Sequence, residues 1–222
     1  MPMVLQRVSE VKSFREKSTD KNTQKWAEKP YLFQTNRQPK NSYLAIPEVS
    51  SENRRFLPIS YLSADVIASN LIYTIENSSL FEFGIMNSEM HNSWTRVVCG
   101  RLKSDYRYSA SIVYNNFPWP MNPTEKQKQA IEDAAQEILD VRKNYPDSSL
   151  ADLYDPILMP ADLLKAHKKL NKAVDAAYGK KGFDNEAERV AFLFDLYQQY
   201  TSPTAPLEPE TKPKRRSKKI EG

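Results

Sequence analysis

The chain is poor in the residues around which catalytic centres are usually built. A single cysteine, Cys99, in 222 residues excludes an internal disulfide and any cysteine-based zinc cluster. Two histidines, His91 and His167, are too few for an HExxH or multi-histidine metal site. Of five glycines none is spaced Gly-x-Gly, so there is no glycine-rich loop to cradle a phosphate. No apolar run approaches the roughly 20 residues that span a bilayer. The opening, MPMVLQRVSEVKSF, lacks the apolar stretch of a signal peptide. These absences lead us to expect a protein of the reducing cytoplasm with no membrane partner.

Two partial motifs also fall short. Asn116-Phe117-Pro118-Trp119 has the outline of the Asn-Pro-Pro-aromatic loop of amino-methyltransferases, but phenylalanine replaces the first proline and the rigid double proline is lost. A metal-dependent nuclease needs Pro-Asp followed, after a strand, by acidic-x-Lys. Pro146-Asp147 has no such partner downstream, and Glu10-Val11-Lys12 has none upstream. No catalytic residue can be nominated, nor any metal ligand.

What is present is an ordinary globular composition, 40% hydrophobic and 27% charged, with an uneven charge distribution. Residues 1–120 carry 15 basic and 11 acidic side chains, residues 121–202 carry 11 and 14, and residues 203–222 carry 6 and 3. The first segment and the tail are the parts that favour a polyanion.

Periodicity divides the chain in the same way. Val4, Leu5, Val8, Val11 and Phe14 predict a short amphipathic helix, followed by a polar stretch over residues 18–29. Short apolar runs broken by proline, at 31–35, 42–46, 55–57 and 66–75, predict strands. Phe83, Met86, Met90, Trp94 and Val97 form one helical stripe, giving a long helix over 79–98 that Gly100 terminates. Residues 102–109 and 112–117 return to strand composition. Beyond Pro120 the pattern is helical. Asn122-Pro123 starts a helix with Ile131, Ala134, Ile138 and Leu139 inward, and residues 149–154 make a short turn of helix. Residues 160–178 form another helix, burying Leu163, Leu164, Leu170 and Val174 and stopping at Gly179. Asn185 with Glu188 caps a last one whose core side is Val190, Ala191, Phe194 and Tyr197. The tail from Pro203 has the composition of a disordered segment.

The segment with most chemistry is WTRVVCGRLKSDYRYSASIVYNNFPWP, residues 94–120. If 102–109 is one strand, Lys103, Asp105 and Arg107 share a face and Tyr106 and Tyr108 take the other. Alternating donor, acceptor and donor suit base edges: lysine donates to guanine O6 and N7, and aspartate accepts from cytosine N4. An exposed strand with a Lys–Asp pair of little energetic value explains the same row. His91 and His167 read as hydrogen-bonded structural histidines, Met86, Met90 and Trp94 as core, and Cys99 as buried and inert. The YNNFPWP run reads as structural, with Trp119 pinning the segment before it onto the helices after it.

GRLKSDYRYS followed by SIVYNNFPWP resembles the target-recognition region of MmeI-like type II restriction–modification enzymes. In that family one polypeptide joins an endonuclease, an adenine-specific DNA methyltransferase and a DNA-reading domain. RVSEVKSFREKS, KPYLFQTNRQP, YLAIPEVSSENRRFLP and FGIMNSEMHNSWTRVVCGRL extend the likeness in order. So do PTEKQKQAIEDAAQEILDVR, SLADLYDP, MPADLLKAHKKLNKAVDAAYG and FDNEAERVAFLFDLY, so it covers residues 4–200.

The resemblance implies an α+β fold: a recognition domain over 28–120 with a mixed sheet and the long helix, then a small all-helical domain over 121–202. Residues 1–27 become a connector from a methyltransferase domain, and 203–222 a disordered basic tail. It implies sequence-specific binding of double-stranded DNA, with S-adenosylmethionine, and magnesium if the parent cleaves, used by domains that this chain lacks. Lys103 and Asp105 fall on the paired variable base-reading positions and Arg107 on a nearby basic reader. Arg96, Arg101, Arg54 and Arg55 are candidates for the DNA backbone, the first two equally for packing. A stand-alone specificity subunit and a protein-interaction module are the alternatives.

Overall fold

The structure is a computed structural model that describes residues 1–35 and 37–202; the expected basic tail lies outside the described residues. Contacts divide the chain into two units, residues 1–40 and the remainder.

The first unit holds helix α1 (Pro2–Glu16), helix α2 (Lys21–Lys25) and one 3-10 turn (Trp26–Glu28). The Asp20 carboxylate caps α2 by accepting from the Asn22 and Thr23 amides; the Thr23 hydroxyl, donating to it at 2.7 Å, and then these amides lower its pKa. Thus a helix forms within the stretch expected to be only polar. Arg15 staples the unit, donating to the carbonyls of Trp26, Lys29 and Leu32 at 2.8–2.9 Å. Helix α1 forms as predicted but buries none of its residues; Met3, Leu5 and Phe14 are each at least 70% exposed. Residues 31–35 form turns instead of a strand.

The second unit contains two antiparallel three-stranded sheets in place of one mixed sheet. In the first, β1 (Tyr43–Pro47) lies between β3 (Ser60–Leu62) and β4 (Ile72–Glu76). Tyr43 to Ile46 are all buried, as a central strand covered on both faces requires. At Glu48 the chain changes sheets: its amide donates to the Leu71 carbonyl, and its carbonyl accepts from the Tyr108 amide. It then enters β2 (Val49–Ser50), which pairs with β6 (Asp105–Arg107), which pairs with β5 (Gly100–Leu102). Three expectations fail here. Residues 55–57 are not a strand, 66–75 contribute only their last residues to β4, and 110–114 wind into a wide helical turn in which the Asn115 amide reaches the Ala110 carbonyl.

The long helix is two, α3 (Leu80–Asn87) and α4 (Glu89–Val98). Ser88 between them is extended, its hydroxyl donating to the Ile85 carbonyl at 2.6 Å. Asn171 accepts from the freed Glu89 amide at 2.8 Å. Helix α4 ends at Val98 with Cys99 as an extended C-cap, so the expected glycine stop does not form: Gly100 lacks the left-handed φ and stands in a strand, and Val97 is exposed.

Helices α5 (Glu125–Lys143), α6 (Leu150–Leu153), α7 (Ala161–Ala177) and α8 (Glu186–Thr201) follow. Thr124 with Gln127 and Ser149 with Asp152 form capping boxes, and Gly179, at φ +72°, stops α7 in the left-handed conformation that suits glycine. Asn185 caps α8 as expected, but the buried side of α8 carries Arg189 and Leu193; Ala191 and Phe194 are exposed. The expected side packs in part, since Val190 and Tyr197 are half-buried and the Phe194 and Tyr197 rings lie 5.3 and 5.7 Å from that of Trp94, while Arg189 takes an inward place beside it. Arg189 is 7% exposed and pairs with Glu89 at 3.4 Å and Asp175 at 3.7 Å.

One core runs through residue 120 without a break, joining Leu44, Phe83 and Met90 to Ile131, Leu163 and Leu193. Within it a Cβ on Gly84 would stand 2.6 Å from Ile131 Cγ2, so α3 and α5 meet backbone to side chain. Arg142 crosses the same seam, donating to the Ile59 carbonyl at 2.9 Å, Asn87 Oδ1 at 3.2 Å and the Tyr154 hydroxyl at 3.1 Å. The YNNFPWP run is a second tie. Tyr178 and Tyr200 donate to the carbonyls of Pro118 and Trp119, each at 2.9 Å.

Candidate nucleic-acid interface

The segment 100–107 is a hairpin and not the single strand expected. Its two-residue turn is Lys103-Ser104, with Lys103 at φ +57°. A two-residue hairpin turn calls for positive φ, which asparagine or glycine supplies readily; a lysine there carries about 1–2 kcal/mol of strain. Lys103 therefore stands exposed at the tip instead of beside Asp105 on a flat strand.

Register sorts the remaining residues by face. Leu102 pairs with Asp105 and Gly100 with Arg107, so these four share the outer face, while Arg101 pairs with Tyr106 on the inner one. Tyr106 and Tyr108 are buried, as expected for the inner row. Leu102, by contrast, is 50% exposed.

The inner row is fixed from below. His91 on α4 is completely buried, its Nδ1 donating to the Met86 carbonyl at 3.1 Å. Its Nε2, left as the acceptor, accepts a hydrogen bond from the Tyr108 hydroxyl at 3.1 Å. Burial holds the imidazole down to about 4 and pushes the Tyr108 phenol up. Arg101 lies over the Tyr106 ring, 4.2 Å from its centroid, and donates to the carbonyls of Ser104 at 2.9 Å and Arg96 at 3.2 Å. Burial raises the neighbouring Cys99 thiol, which keeps it protonated.

The outer charges have partners that no local spacing announces. Arg107 bonds Glu48 at 3.2 Å, and Asp105 accepts from the Glu52 amide at 3.3 Å. Arg55 donates from Nε to Glu89 at 2.6 Å. Arg96 meets Glu186 at 2.5 Å and the Arg55 carbonyl. Arg54 is the exception: its Nε is buried with no partner, beside a small cleft lined also by Leu57, Asn92, Thr95, Arg96 and Tyr106. The structure thus brings Arg54, Arg55, Arg96 and Arg101 together at the foot of the hairpin, with Asp105 and Arg107 on its face. Glu48, Glu52 and Glu89, which hold several of these residues, were not anticipated; they lie 34 to 59 positions from their partners.

The family model described as "MmeI, target recognition domain" matches residues 1–121. The chain belongs to the MmeI family. A second model, "MmeI, C-terminal domain", matches residues 123–205. DNA methyltransferase A of Bacillus subtilis (strain 168) is 45% identical over 200 residues, which are 90% of this chain and 22% of that protein. A solved type IIL restriction–modification enzyme, MmeI in complex with DNA, superposes with a TM-score of 0.83 at 54% identity, over 91% of this chain and 27% of its own. The chain therefore spans about a quarter of the length of these two relatives. The matched parts are the recognition and C-terminal domains, and the α+β architecture with a helical second half accords with both. No helix among the described residues is long and apolar enough to cross a membrane.

Proposed function

We propose that this chain recognises a specific sequence in double-stranded DNA, and that it does so on behalf of an adenine-specific methyltransferase. The observation that carries this reading is the β5–β6 hairpin. It presents a donor at its tip and an acceptor and a second donor on one face, and it is anchored beneath by Tyr106, Tyr108 and His91. The likeness to an enzyme solved with DNA supports it. Lys103 reads guanine and Asp105 the cytosine amino group, while Arg107 turns from Glu48 to a neighbouring acceptor. Arg54 and Arg55 line the phosphate side. Arg96 and Arg101, tied to carbonyls and to Glu186, brace the hairpin.

The target adenine would leave the stack to be methylated in a domain carrying the S-adenosylmethionine site. Among the described residues no three His, Cys, Asp or Glu side chains are grouped to hold a metal. Magnesium, if the parent cleaves, would have to be held by residues beyond these. The domain limits we propose are a connector over 1–27, a reader over 28–120 and a helical domain over 121–202, in a cytoplasmic enzyme.

The test is the double substitution Lys103→Glu with Asp105→Arg, which exchanges donor and acceptor. Selection from a randomised duplex library should then return C·G where the unaltered chain returns G·C. The discrimination at stake is about 1–3 kcal/mol, the worth of a good base contact. An unchanged preference would reduce Lys103 and Asp105 to a surface pair.

A further inference from the structure

The hairpin carries its glycine and its lysine at each other's natural places. Lys103 takes the positive φ at the turn, where glycine would be unstrained. Gly100 sits in extended β5, where glycine weakens a strand. Among the described residues nothing asks for that glycine. Its φ lies outside the left-handed region, and it is exposed. A Cβ built on it would meet only the Arg107 carbonyl oxygen at 3.7 Å and Arg107 Cβ at 3.9 Å, ordinary contacts. Gly84 shows the opposite case, since its missing side chain is demanded by Ile131 at 2.6 Å.

We infer that Gly100 is a contact site for duplex DNA, at which the bare backbone of β5 comes within van der Waals distance of the nucleic acid. The space at position 100 is reserved for the ligand, since the fold does not need it. The inference rests on the reading of the hairpin as the DNA-contacting element. It adds a site to which base-edge chemistry does not point. Gly100 pairs with Arg107 and lies on the face that also holds Leu102 and Asp105. A groove wall brought against this face meets Arg107 and Asp105 as polar partners and Leu102 as an apolar one. Only at Gly100 does it meet main chain. Glycine's conformational cost in a strand is then offset by close approach.

The experiment compares the full 222-residue chain with Gly100→Ala and Gly100→Val, measuring chemical-denaturation midpoints and binding to a duplex selected by the unaltered chain. Both variants should unfold at or above the original midpoint, since each restricts an extended residue in open space. Binding should weaken several-fold for alanine and about tenfold or more for valine, the scale of forcing a side chain into filled space. Valine binding as tightly as glycine would overturn the inference while leaving the hairpin reading intact. A lowered midpoint in both variants would also overturn it, because the glycine would then be structural. If the unaltered chain selects no duplex, the hairpin reading itself fails and the inference goes with it.

Discussion

The two halves of the second unit share one core but are built differently. Residues 41–120 are held by strands of two to five residues, and much of their order comes from side chains bonding distant backbone: Asn92 to the Leu57 amide, Trp94 to the Val113 carbonyl, Tyr43 to the Val66 carbonyl. Residues 121–202 are held by helices with apolar stripes, and side chains cap the N-termini of α5, α6 and α8. The first arrangement leaves the hairpin's outer face free of packing duties; the second makes nearly every inward residue a packing residue. A substitution should therefore act on stability in the helices and on binding in the hairpin.

The largest expected effect lies in the helical half. Leu163→Ala empties a completely buried site on α7 and should cost about 2–5 kcal/mol in denaturant unfolding. A loss below 1 kcal/mol would mean that the seam repacks and the contrast between halves is weaker than drawn.

Acid probes both halves at once, because each contains one buried histidine. His91 under the hairpin is held down to about 4, and His167 to about 3, in both cases chiefly by burial. His167 donates to the Asn87 carbonyl, accepts from Tyr154 at 2.7 Å, stacks on Phe56 and faces the Arg142 charge. In the unfolded chain each titrates near 6.5, so over this window the unfolded state binds more protons. Stability is present in full above pH 6.5 and falls as pH drops through about 4 for His91 and on toward about 3 for His167. At pH 4 the loss should be about 3 kcal/mol per histidine. His91→Gln should remove roughly half of that slope. A single transition at every pH supports the shared core, whereas two transitions below pH 5 would split the halves.

Intermediate effects sharpen the contrast at equal size. Thr124→Ala breaks the α5 capping box and should lower stability by about 1 kcal/mol. Lys103→Gly relieves the positive φ at the hairpin tip and should raise stability by about the same amount while weakening DNA selection. If both changes moved stability downward, the lysine would not be strained. The smallest effect on folding belongs to Arg107→Gln. Its exposed bond to Glu48 is worth under about 1 kcal/mol, yet duplex binding should fall by a measurable factor.

The same contrast explains what could be read from the sequence. The four helices after Pro120 were legible because caps and a 3.6-residue stripe are local signals. Only α8 departs in part, because apolar periodicity gives no sign that Arg189 is buried beside its stripe. The sheets were largely illegible, since strands of two or three residues are too short to show alternation. The hairpin reads as one strand in the sequence because its turn carries Lys103-Ser104 and not Asn-Gly. The hairpin's part of the candidate site shows in the sequence as a cluster of charge and aromatics over 94–108; that Arg54 and Arg55 join it does not. Nor does the bracing of these residues by Glu48, Glu52 and Glu89, because it is assembled by folding.

The interruption at Ser88 has a consequence for phase. In an unbroken helix every inserted or deleted residue rotates all that follow by about 100°, and a change near Phe83 would swing His91 and Trp94 out from under the hairpin. Because the backbone is extended at Ser88, the angular position of α4 is counted afresh from that residue. The surface of α3 that grips α5 and α7, and the surface of α4 that carries the hairpin, are indexed separately, so an error of count in one need not become an error of aim in the other.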